Sequence, residues 1–141
     1  MPKTTDELYS ELTQAQSLKE FQQRNKNEAR PPQTMEYLQA LLEARGMKPS
    51  QATSKAQIDD SYGRRLFNGQ LHPGRKHLLL YAFAAGLTLD ETQNLLKYAG
   101  FAQLYARDPR EQLIIYALNN QLSIMETDAI LDDMHFKLLT A

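Results

Sequence analysis

Apolar residues recur at steps of three and four along most of the chain, the spacing of one face of a helix. Each run is bounded by residues that start or stop helices. Leu8, Leu12, Ala15, Leu18 and Phe21 share a face and predict one amphipathic helix over 5–29, capped by Thr5-Asp6. Arg30-Pro31-Pro32 breaks the pattern, because proline disfavours helix for the residue before it. Leu38, Leu41 and Leu42 continue it in a helix that Thr34 caps and Gly46 ends. Two short helices are then expected, 50–56 and 60–67, joined by the turn Gln57-Ile58-Asp59. Asp59 or Asp60 caps the second, and Asn68-Gly69 stops it. Helices at 75–85, 89–99, 109–119 and 124–134 complete the set. They have capping boxes at Thr88/Glu91 and Ser123/Glu126, and Pro109 stands at a first helical position. The fold class this predicts is all-α.

The second half repeats itself. Residues 78–101 align without gaps to residues 113–136, an offset of 35. The identities are Leu78/Leu113, Tyr81/Tyr116, Ala82/Ala117, Leu87/Leu122, Glu91/Glu126, Thr92/Thr127, Leu96/Leu131 and Phe101/Phe136. A period in the thirties suggests stacked helical hairpins. Two copies are too few for a free-standing solenoid, so they are expected to pack on the preceding helices. The aromatics of the segment 100–107 are expected to plug the gap between hairpins.

The two short helices at 50–67 form the unit that seats its second helix in the DNA major groove. This stretch resembles the Cro/CI-type (XRE-like) helix-turn-helix domain. The matching positions are Gly46-Met47, Ala52, Ala56, Ile58, Ser61-Tyr62, Arg65-Leu66, Asn68-Gly69 and Pro73, in a register running from Tyr37 to Leu87. Taken whole, the chain resembles bacterial regulators of that type with a C-terminal helical extension. The resemblance implies a lambda-repressor-like fold and four segments: an N-terminal helical arm at 1–29, a linker at 30–33, a helix-turn-helix DNA-binding domain at 34–86, and a helical extension packed on it at 87–141. It also implies transcription regulation, with 60–67 as recognition helix and Tyr62 and Leu66 holding that helix in place.

Charge sharpens this reading. The net charge is −1, yet Arg45–His77 carries seven cations against Asp59 and Asp60, a net of +5. The remainder is −6. Basic charge gathered on the reading unit is the electrostatic footprint of DNA binding. On the recognition helix Ser61, Arg64 and Arg65, with Gln57 and Asp60, are left for the groove. Arginine matches guanine O6/N7 or a phosphate. Gln70, Arg75 and Lys76 are candidate phosphate contacts, joined by Lys48 and Lys55. A homodimer is expected, since one short helix reads few base pairs.

A rival reading keeps the fold without DNA, as a protein-interaction adaptor with a protein partner. Pro49 and Phe67 stand where the family usually has glutamine and often an acid, and Asp59-Asp60 open the recognition helix. Arg64 and Arg65 then pair with Asp60 and Asp59 on a solvated surface.

Other chemistries find little footing. The chain lacks cysteine, and His72, His77 and His135 show no metal spacing. No His-Glu-x-x-His, phosphate loop or nucleophile elbow occurs. No catalytic residue, metal or cofactor is expected. No apolar run approaches the roughly 18 residues of a membrane helix, and no signal segment opens the chain, so a cytoplasmic protein is expected.

Overall fold

A computed structural model describes residues 3–14 and 33–141, in two compact units, Met1–Pro31 and Pro32–Ala141. The described residues form eight helices and no strand: α1 Thr5–Gln14, α2 Gln33–Ala44, α3 Pro49–Lys55, α4 Asp60–Phe67, α5 Arg75–Ala85, α6 Leu89–Tyr98, α7 Pro109–Asn119 and α8 Ile124–Asp133. The protein is therefore all-α over these residues. None of these helices is long and apolar enough to cross a membrane.

The first unit contains α1. Its cap is Thr4, one residue before the expected position: Thr4 Oγ1 accepts from Glu7 N–H at 3.1 Å, and Glu7 reaches back to Thr4 N–H. The rest of the expected 5–29 helix, and the linker at 30–33 apart from Gln33, lie outside the described residues.

In the second unit most helix ends fall where local chemistry places them. Asp59 caps α4 through Tyr62 N–H at 3.2 Å. Thr88/Glu91 and Ser123/Glu126 form reciprocal capping boxes, and Asp108 caps α7. Thr34 is a correction. It lies inside the first turn of α2, fully buried, and does not cap it. At α3 the boundary is Lys48, whose N–H donates to Gln51 Oε1 at 2.8 Å, with Pro49 first in the helix.

The core is organised on α5. Leu78 through Phe83 are all buried, so this helix is enclosed on nearly every side. It packs against α3, α6 and α8. Such an all-round apolar helix belongs at the centre of a bundle. Leu38 and Leu42 of α2, Leu66 of α4, Leu95 and Leu96 of α6, Ile114 of α7 and Leu131 of α8 all end within this core, fully buried.

The 35-residue repeat holds in the backbone. Gly86 and Gln121 take φ 65° and 55° at equivalent helix ends, and Gly100 and His135 take 79° and 63° at the next pair. Left-handed backbone is costly for residues with a Cβ. At each of the four ends the next residue's N–H bonds to the carbonyl five residues back, so the same helix-ending turn forms with or without glycine. Thr92 and Thr127 are both buried, each donating to the carbonyl four residues back at 2.8 Å. The plug between hairpins differs from expectation. Tyr105 is exposed and Phe101 half-buried. Leu104 is the buried residue, its N–H held by Gln93 Oε1 at 2.7 Å.

Candidate nucleic-acid interface

The helix pair α3–α4 is built around a close approach. Ala56 closes α3, Gln57 turns at φ 60°, and Ile58 N–H bonds back to Thr53 O at 3.1 Å. Gly63 of α4 then lies against Thr53 of α3. A Cβ on Gly63 would sit 2.4 Å from Thr53 Cγ2. Thr53 cannot easily yield. Its hydroxyl donates to Pro49 O at 2.8 Å and shares a 2.8 Å hydrogen bond with the buried Tyr81 hydroxyl of α5. Burial raises the Tyr81 pKa, and the Thr53 bond partly opposes that. Phe67 packs edge-to-face on Tyr81 with ring centroids 5.5 Å apart. Leu66 is fully buried. So α4 is fixed by Gly63, Leu66, Phe67 and Tyr62, and its other side faces outward.

That outward side carries Ser61, Arg64 and Arg65, and most of the other residues singled out from sequence are exposed nearby in the chain. Gln57, Ser61, Arg64, Arg65 and Gln70 are exposed, as are Lys48, Lys55 and Lys76. Arg65 makes no ion pair among the described residues. Arg64 lies 3.4 Å from Asp60 one turn back, with both side chains largely in water. An exposed pair of this kind contributes little and is readily exchanged for another anion. The N–H of Gln70 donates to Asn68 Oδ1 at 3.0 Å, which orders the loop after α4. Lys76 and Gln57 come together across a groove of about 300 Å³, which Asp59, Tyr62 and His77 also line. Arg64 and Asp60 border a second groove, of about 470 Å³, with Ser50 and Asn68.

Two of the basic residues are committed elsewhere. Arg75 Nη1 pairs with Glu111 at 2.6 Å, and Nε and Nη2 donate to the carbonyls of Ala102 and Gln103. Its guanidinium ties α5 to the second hairpin. Arg45 pairs with Glu91 at 2.7 Å. Discounting these two, the stretch 45–77 keeps five cations against Asp59 and Asp60, a net of +3 where the sequence counted +5.

His77 was not singled out from sequence beyond its lack of metal spacing. In the fold its ring stacks on Tyr62 with centroids 4.9 Å apart, and its Nδ1 is buried without a hydrogen-bond partner among the described residues. The available signal was periodicity. His77 precedes Tyr81 by four residues, so both face α3 and α4 from the same side of α5. Burial, and secondarily the neighbouring Lys76, lowers its pKa below 6.5. As pH falls below 6.5 the unfolded chain takes up the proton first, so stability declines toward the folded pKa. Melting temperature should therefore drop between pH 7.5 and pH 5.5. His77→Phe should flatten that dependence, and a slope unchanged in the variant would assign it to other groups. Among the described residues no three His, Asp or Glu side chains converge as a metal site.

No protein-family model, curated protein or solved structure matches this chain. The functional reading therefore rests on the residues themselves.

Proposed function

We propose that the protein is a sequence-specific DNA-binding regulator of the Cro/CI helix-turn-helix type, with α4 as the recognition helix. The observation that carries this reading is the asymmetry of α4. One side is locked to α3 and α5 through Gly63, Leu66 and Tyr62. The other presents Ser61, Arg64 and Arg65 to water. A short, rigidly seated helix with arginines on its free side suits insertion into a major groove. Lys48, Lys55 and Lys76 flank it as phosphate contacts, and Gln57 and Gln70 lie in the turns on either side. Arg75 serves this reading only indirectly, by fixing the start of α5.

The test is titration of the full chain with a labelled random duplex, followed by selection of bound sequences. With five exposed cations on this stretch, Arg64 among them in a solvated pair with Asp60, log affinity should fall against log salt with a slope of roughly −3 to −5. Selection should enrich one motif, and a two-fold motif would indicate pairing of two chains. Absence of binding at low salt would overturn the assignment. It would favour the protein-interaction reading, which Asp59 and Asp60 at the start of α4 support by repelling phosphates.

A further inference from the structure

The groove of about 470 Å³ beside Arg64 offers more apolar than polar surface, and the reading face described above leaves that surface unused. Pro49 of α3 and Phe67 of α4 line it from the two helices, together with Thr53 and Gly63, where those helices touch. Asp60 and Arg64 line it from the outward side of α4. Helical spacing explains the sharing: Asp60, Arg64 and Phe67 follow one another at steps of four and three, so they fall along one edge of α4.

Both apolar residues are half-buried, so part of each meets water, and both are held in place. The Phe67 ring packs edge-to-face on Tyr81, whose hydroxyl is bonded to Thr53. Pro49 is the first residue of α3, and its carbonyl accepts from the Thr53 hydroxyl at 2.8 Å. Its ring fixes the backbone there. The recess is therefore preformed. Most groups on a base-pair edge in the major groove are hydrogen-bond donors or acceptors, and the pyrimidine 5-methyl group is the apolar one. A polar edge pressed on Pro49 and Phe67 loses water without gaining a partner, which is costly. A methyl group there gains from leaving water.

We propose that the recess between Pro49 and Phe67 receives a pyrimidine 5-methyl group of the bound duplex, next to the base or phosphate that Arg64 contacts. Pro49 and Phe67 are thereby specificity-determining residues, reading by shape and apolar contact where Arg64 reads by charge and hydrogen bonds. The inference rests on α4 being the reading helix. Thymine and 5-methylcytosine present the same group, and the test separates them.

The test starts from the duplex selected with the full chain. Each thymine is replaced in turn by deoxyuridine, which removes the methyl group alone, and each cytosine by 5-methylcytosine, which adds one. At one position removal should weaken binding about fourfold, or addition should tighten it about fourfold, the effect of burying one methyl group. The first result names thymine as the source and the second methylated cytosine. Phe67→Ala takes away one side of the recess and should erase the effect at that position. Pro49→Gln puts an amide into the recess, leaves the Phe67–Tyr81 contact intact and should erase it too, so it serves if the alanine variant folds poorly. Phe67→Leu keeps an apolar side chain and should retain it. The salt slope should stay at the parental value in all three variants, since none loses a cation. Duplex binding that responds to no methyl replacement overturns this inference and leaves α4 standing as the reading helix. A methyl effect that persists in Pro49→Gln and Phe67→Ala places the group elsewhere and also overturns it. Failure to bind any duplex overturns this inference and the reading it rests on together.

Discussion

Replacing Arg64 and Arg65 together by alanine should reduce affinity for the selected duplex roughly a hundredfold or more, since each arginine reading a base or phosphate contributes about 1–3 kcal/mol. The fold should survive. Both side chains are exposed, and within the protein the double substitution removes the solvated Arg64–Asp60 pair, which stabilises little. Melting temperature should thus stay near the parent value, which separates loss of the reading face from loss of structure. Asp60→Asn provides the converse. It frees Arg64 and removes a carboxylate from the face, so duplex binding should tighten and the salt slope steepen. Duplex titrations of the three proteins check this. Undiminished binding by the double variant would refute α4 as the reading helix, whatever else binds DNA.

Gly63→Ala should destabilise the second unit although it improves an exposed-helix propensity by about 1 kcal/mol. The new methyl group would lie 2.4 Å from Thr53 Cγ2 and 2.7 Å from its Oγ1. Thr53 is buried and bonded to both Pro49 and Tyr81, so relief requires α3 and α4 to separate. Overpacking of this kind costs about 1–3 kcal/mol and outweighs the propensity gain. A fall in melting temperature of about 5 °C or more is expected. Duplex affinity should fall with it, because the seating of α4 changes. Pairing the substitution with Thr53→Ser removes the nearer clashing carbon and should recover part of the loss. Calorimetry of the two single variants and the double variant measures that coupling. Additive losses would show that the helices do not meet at this point.

Local signals made much of the fold legible. Caps depend on a side chain and backbone three residues apart, so Thr88 and Ser123 could be placed without tertiary information, and the cap of α4 narrowed to Asp59 or Asp60, of which Asp59 makes the bond. The 35-residue repeat was visible because the same buried positions recur, Leu78 with Leu113 and Leu96 with Leu131. Thr34 differs for the opposite reason: a threonine suited to a cap is fully buried within the first turn of α2, and burial is not readable from local spacing. Leu104 was passed over for Tyr105, since size alone does not tell which side chain the hairpin interior accepts.

The candidate interface divides the same way. The sequence by itself determined which residue types lie on α4 and that Arg64 and Arg65 share it with Leu66, because helical spacing needs no neighbours. What only the tertiary structure decided is which cations remain free. Arg45 and Arg75 read as surface charge until Glu91 and Glu111, 46 and 36 residues further on, took them up. His77 likewise became a buried contact of Tyr62 only once α5 was set against α4. Charge pairing and burial depend on distance in space, and chain order encodes that distance only through the packing of the whole core.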